Sequence, residues 1–359
     1  MFCIAAFVIL SILGIFSVRY RRMAVAAWKC VGRRATLRKC DTSFKEDMKS
    51  RLLAKTAVKH PKRVKYYDHG LEVLAFAFVL LMIWSLAISI RSGLNLYVYD
   101  TCDPANSESC SLGAEACSIE SLQPQFWSSL KHGHMLTWGR SQVDQAGETL
   151  SRLPDRIKKW NPSSYTTSTS SYYHAYNSAK PTALEILDPS CNYCAELFKN
   201  IEQANVENRY NLTYIAYPIP NPLYAGTYKF QHSYLVASYL EAIKQQPLKG
   251  ATVSADWQVL QRIFTWRDPV TGAGYQFEIN SYGYSNSHIE TILQKWLKNI
   301  GYTDQQVSSI ATASHSQSVK DSLARQADIV KNQIKTVKIP TLLLDTRRYD
   351  GVVSAQKLE

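Results

Sequence analysis

Residues 71–90, LEVLAFAFVLLMIWSLAISI, run twenty in a row with one charge, Glu72, at the edge. A bilayer core about 30 Å thick is crossed by roughly 20 apolar residues of helix. The stretch therefore has the length and composition of a membrane span, and its length weighs against a buried helix of a soluble core. A second apolar run, residues 2–18, is 17 residues long and uncharged, at the short limit for a span. A cleaved leader is the alternative there, with Ala24, Val25 and Ala26 as a passable cleavage site. Against a leader, no basic residue precedes the run, and Arg19, Arg21 and Arg22 follow it directly. The expectation is two spanning helices.

The net charge of +12 suggests a nucleic-acid binder until it is located. Residues 19–70 hold 16 Lys and Arg against 4 Asp and Glu, which accounts for the whole excess. A basic loop between two spans belongs in the cytoplasm, and anionic lipid head groups suffice as its partner. No nucleic-acid partner is called for. The expected organisation is a transmembrane helix over 1–18, a basic cytoplasmic loop over 19–70 and a second transmembrane helix over 71–91. An extracytoplasmic connector follows over 92–180, then a folded domain over 181–359 with a helical insertion at about 223–332. Cys30 and Cys40 lie in the loop, where a reducing cytoplasm keeps them as thiols.

The connector carries Cys102, Cys110 and Cys117 among Gly, Pro, Ser and Asn. Cysteines outside the membrane tend to pair. An odd number leaves one over: free, bonded to another protein, or reacting with Cys191 or Cys194 further on. The simplest expectation is one small structural disulfide plus a spare. Residues 141–160 have the pattern of an amphipathic helix, and 161–181, rich in Ser, Thr and Tyr, read as a tether.

From Pro181 the pattern changes. TALEILDP (182–189) reads as a buried strand, NLTYIAYPIP (211–220) as a second, KIPTLLLDT (338–346) as a third, and RRYDGVV as a turn into a last strand. Between them, 223–332 reads as mainly helical. The fold class expected is α/β.

DPSCNYC sits where the first strand gives way to a helix. A dithiol that exchanges disulfides needs one cysteine as a thiolate near neutral pH. The first turn of a helix favours that negative charge through its unpaired N–H groups and dipole. Cys191 is placed for this role. Cys194, three residues on, lies on the same face and can resolve a mixed disulfide formed at Cys191. Glu185 interrupts an apolar strand six residues earlier; a buried carboxylate there has a raised pKa and passes protons near neutral pH, whereas an edge position would turn it to solvent. The Ile339–Pro340 bond can be cis at small cost, leaving the Ile339 backbone free to pair with an extended substrate segment. Zinc is disfavoured: four ligands are needed, no second cysteine pair is present, and His174 and His232 have no matching spacing. A permanent structural disulfide across two residues closes too small a loop to remove much chain entropy.

As a set these residues resemble the thioredoxin superfamily. The likeness rests on an acid six residues before C-x-x-C at a helix start, a long helical insertion, and Ile-Pro-Thr opening a late strand. The insertion is similar to that of the DsbA-like branch of thiol:disulfide oxidoreductases. DPSCNYC resembles the D-P-x-C-P-Y-C form of DsbG-like and related membrane-anchored thioredoxin-fold proteins. The resemblance covers about 181–357. It implies a thioredoxin fold with Cys191 and Cys194 as the redox pair, Glu185 as the buried acid, Pro340 as the cis proline, and Ile339, Asn192 and Tyr193 at the substrate seat. It implies no cofactor. The partners implied are extracytoplasmic protein thiols and a membrane redox partner that recycles the dithiol. Asn192 departs from the Pro or Gly usual in this branch, and the final helix usual there is either lacking after DGVV or cut off by a truncation of the chain. The rival reading is a redox-inert thioredoxin-fold module that holds extended polypeptides.

Overall fold

The structure, a computed structural model, describes residues 25, 28, 29, 64–99, 101–104, 115–119 and 126–359. The chain divides into two compact units, Met1–Ile90 and Arg91–Glu359. The expected first span and most of the basic loop lie outside the described residues.

Helix α1 runs Val64–Tyr99, 36 residues. Its part Asp68–Tyr99 is long and apolar enough to cross a membrane, the one such helix among the described residues. In the first unit Leu74, Leu81, Ile83, Leu86 and Ile88 are exposed, so the apolar surface of this stretch is not spent on a protein core. The last turns of α1 belong to the second unit. There Arg91 donates to Gln142 and Gln145, and Thr149 donates 2.9 Å to the Asn95 side chain. Gln142, Gln145 and Thr149 lie on α3, Met135–Ser151, which follows a short α2, Phe126–Lys131. The amphipathic helix expected over 141–160 thus starts earlier, ends at Ser151, and is followed by a short α4, Leu153–Ile157.

The core of the second unit is a four-stranded sheet in the order β3-β2-β5-β6, from β2 Thr182–Leu187, β3 Asn211–Ala216, β5 Thr341–Leu344 and β6 Arg347–Asp350. Strands β2 and β3 are parallel, joined through α5 (Asn192–Gln203) and α6 (Val206–Arg209). Strand β5 is antiparallel to β2, and β6 to β5. Every residue of β2, β3 and β5 is buried, as continuous apolar runs covered on both faces require. A βαβ half and a ββ half, with helices between them, make this a thioredoxin-like α/β fold. After DGVV the chain makes one helical turn, α13, Ala355–Leu358.

The insertion comprises α7 Ser233–Gln245, α8 Ala255–Thr265, α9 Tyr275–Asn280, α10 Asn286–Ile300, α11 Asp304–Ser314 and α12 Gln317–Asp328. Three of the starts carry hydroxyl caps that fix the boundaries. Ser285 accepts from the His288 N–H, Ser316 from that of Val319, and Thr303 forms a capping box with Gln306. Helix α8 fastens the insertion to the sheet. Trp257, fully buried, meets Tyr214 of β3 edge-on at 4.8 Å, and the Tyr214 hydroxyl donates 2.9 Å to Asp256. Beneath it, buried Lys244 lies 3.7 Å from Glu241 and 3.8 Å over the Tyr214 ring. Burial lowers the Lys244 pKa, and Glu241 and Asp256 hold it up.

Residues 161–181 are not a loose tether. The Tyr173 N–H donates 2.9 Å to Leu212, Tyr172 bridges Thr213, and Thr213 Oγ1 donates 2.7 Å to Ser171, so the segment lines the outer edge of β3. The reason lies in its tyrosines. Tyr165 and Tyr173 are buried and bring large apolar rings, while neighbouring hydroxyls satisfy the backbone.

Candidate active site

Strand β2 ends at Asp-Pro, and the Asp188 side chain organises the turn that follows. It is buried and accepts from the Ser190 N–H at 2.9 Å, the Ile219 N–H at 2.8 Å and the Ser233 hydroxyl at 2.6 Å. Burial raises its pKa to about 6 against the pull of these donors. The Asp188 carbonyl accepts from the Cys191 N–H at 3.0 Å, which sets Cys191 as the N-cap of α5. From the insertion, Gln276 donates 2.6 Å to the Cys191 carbonyl and Asn280 donates to that of Ser190. Helix α9 therefore clamps the C-x-x-C turn from outside the sheet.

Cys194 sits one turn deeper, fully buried, as a free thiol. Its sulfur accepts the Asp188 N–H at 3.4 Å. Burial pushes this thiol well above its ordinary range, and the charge of Glu185 pushes it further. Glu185 is fully buried in the middle of β2, opposite Tyr214 and Leu342. Neither of its carboxylate oxygens has a hydrogen-bond partner, so desolvation alone raises its pKa to about 8. The solvent-facing alternative for Glu185 is excluded by this burial.

The Ile339–Pro340 bond is cis. The break at Pro340 separates β5 from a two-residue strand β4, Lys338–Ile339, which turns away from the main sheet and pairs antiparallel with β1, Cys117–Ser118. Cys117 stands opposite Ile339 and Ser118 opposite Lys338. The Cys117 sulfur is bonded to that of Cys191, 74 residues on, and the Cys191 sulfur lies 3.9 Å from the Ile339 carbonyl. Of the fates open to an unpaired connector cysteine, the structure has the one that reaches Cys191. Cys102 is disulfide-bonded too, and Cys110 lies outside the described residues. Asn192 is exposed and Tyr193 half-buried at the start of α5.

The structure thus gathers Cys191, Cys194, Glu185, Ile339, Pro340 and Cys117 in one place. His174 and His232 are engaged elsewhere, with the Thr252 carbonyl and the Asn286 side chain. Sequence reasoning missed Asp188, Ser233, Gln276 and Asn280 as the residues that hold the turn. Asp188 had a signal in the Asp-Pro before the cysteines; Gln276 and Asn280 had only their spacing of four on a six-residue helix.

No protein-family model and no curated protein matches the chain. Among solved structures, the chain is similar to a thioredoxin-like oxidoreductase from Silicibacter pomeroyi DSS-3, at 14% identity over 54% of this chain and 90% of that one, with a TM-score of 0.37. The thiol-disulfide exchange protein alpha-DsbA2 from Wolbachia pipientis matches at 17% identity over 52% and 83%, TM-score 0.34. MdbA, a thiol-disulfide oxidoreductase from Corynebacterium diphtheriae, matches at 13% identity over 51% and 85%, TM-score 0.35.

Proposed function

We propose that the chain is a membrane-anchored thiol:disulfide oxidoreductase acting on proteins outside the membrane through Cys191 and Cys194. One observation carries the reading. The Cys191 sulfur, at the head of α5 and beside cis-Pro340, is joined to a cysteine in an extended strand paired with Ile339. That is the arrangement of an enzyme cysteine caught in a mixed disulfide with a polypeptide.

In the oxidising direction the cycle starts from a Cys191–Cys194 disulfide. A substrate thiolate attacks the Cys191 sulfur; the substrate–Cys191 bond forms, and Cys194 leaves as a thiolate. Buried Glu185, protonated up to about pH 8, hands its proton to Cys194, whose thiol form this site favours. A second substrate thiolate then attacks the substrate sulfur of the mixed disulfide, closing the substrate's disulfide and releasing Cys191 as a thiolate at the helix N-terminus. The reducing direction is the reverse, with Cys194 as the resolving thiol. A membrane redox partner restores the starting state. Ile339 pairs with the substrate backbone, and Asn192 and Tyr193 flank the seat.

The exposed apolar stretch of α1 supports anchoring. The charge of residues 19–70 supports a cytoplasmic loop against anionic lipid, with two spans and the catalytic unit outside. The test is equilibration of the full chain in detergent against glutathione buffers, with acid quenching and peptide mapping of Cys191. A Cys191–Cys194 disulfide that opens and closes across the series is expected. A midpoint near −120 mV marks an oxidant and one near −270 mV a reductant. Failure of that disulfide to form at any ratio contradicts the proposal and favours the redox-inert binding module.

A further inference from the structure

We propose that residues 115–119 are a resident peptide of the exchange groove, and that Cys117 is a third redox cysteine that trades the disulfide with Cys194. This rests on the exchange reading above and extends it to the regulation and substrate class of the same site.

The segment is seated as a strand rather than merely tethered by a sulfur. Cys117 and Ser118 pair with Ile339 and Lys338, the Ile119 N–H donates 2.8 Å to the Val337 carbonyl, and the Val352 N–H donates 2.9 Å to that of Glu115. Both walls of the groove are engaged, the β4 side and the stretch after β6. Ala116, Cys117 and Ser118 are all buried, and Cys191 beneath them is fully covered. A polypeptide that is to bond Cys191 from the Ile339 edge needs the place that 115–119 hold.

The covering strand is removable by chemistry already present in the site. The Cys194 thiolate attacks the Cys191 sulfur; the Cys191–Cys194 bond forms, the Cys117–Cys191 bond breaks, and Cys117 leaves as a thiolate. The proton lost by Cys194 goes to Glu185 in its ionised form, which becomes the neutral acid, and Cys117 takes up one from solvent once released. One disulfide is broken and one made, so no oxidant or reductant enters. The chain then has two forms at one oxidation level: a covered form with Cys194 free, and an open form with Cys191–Cys194 closed and Cys117 free. Apparent reactivity toward an outside thiol scales with the open fraction. Because both neighbours of Cys117 are small and buried, the seat fits an extended polypeptide whose cysteine is flanked by small side chains.

The test uses the full chain in detergent micelles, as wild type and as Cys117→Ser. Acid quenching, alkylation and non-reducing digestion should show both 117–191 and 191–194 linked peptides in the wild type, and only 191–194 in the variant. Reaction with a reduced peptide carrying Ala and Ser beside its cysteine should be at least about tenfold faster in Cys117→Ser, as the covered fraction vanishes. Placing Trp on both sides of the peptide cysteine should remove that gain. Recovery of 191–194 alone from the wild type overturns the proposal. So does 117–191 as the sole linkage, which marks a fixed disulfide, and so do equal peptide rates in the two proteins. Absence of peptide exchange in both proteins overturns the exchange reading instead, and the peptide map then judges the 117–191 switch alone.

Discussion

Cys194→Ala is expected to halt the chain at two different points, depending on Cys117. With Cys117 present, the variant has no thiol to release the covering strand, and nearly all of the protein should carry the Cys117–Cys191 bond. With Cys117 also changed to Ser, Cys191 is left as a lone nucleophile. It attacks disulfides of outside proteins and lacks the intramolecular thiol that normally resolves the adduct. Non-reducing gels of membranes expressing the double variant should then show Cys191-linked adducts that vanish on reduction. A band pattern identical to that of a control lacking Cys191 would count against a dithiol mechanism, since a binding module is indifferent to Cys194.

Glu185 should dominate the pH dependence of stability. Its pKa is raised from an ordinary 4.5 to about 8 by burial. Between those values the native chain keeps a proton that the unfolded chain releases, so stability is full below about pH 4.5 and falls as pH rises through 8. The loss amounts to on the order of 5 kcal/mol once pH exceeds both values. Glu185→Gln cannot ionise, and the difference between variant and wild-type unfolding free energies should grow by that order from pH 5 to pH 9. Comparing the two proteins removes the contribution of Asp188, whose own pKa is about 6. Exchange by the variant should slow at neutral pH, because Cys194 loses its proton relay. Urea unfolding across the pH series checks the first effect. Parallel curves for the two proteins would mean that Glu185 is ionised in the fold.

The site was legible where the chemistry is local in the chain. An acid in the middle of an apolar strand, two cysteines at a strand-to-helix switch, and Ile-Pro before a late strand each imply their own placement. The sheet followed from the same strands, because β2, α5 and β3 are consecutive and short connections favour neighbours. The partner of Cys117 was not legible. A disulfide spanning 74 residues depends on where the connector comes to rest, and β1 is too short to show any alternation. The edge segment at 161–181 was misread for a different reason: its tyrosines score as polar while their rings are buried. The clamp from α9 is likewise tertiary, as Gln276 and Asn280 acquire meaning only once the insertion folds back over the C-x-x-C turn.

The central claim is that Cys191 carries disulfides between polypeptides, and the most direct measurement is exchange itself. The full chain in detergent is mixed with a fluorescence-quenched peptide disulfide and a reduced dithiol peptide, and the rate is followed for wild type and Cys191→Ser. The account predicts acceleration of well over about a hundredfold above the same concentration of free dithiol, and loss of essentially all of it in Cys191→Ser. Equal rates for the two proteins would contradict it.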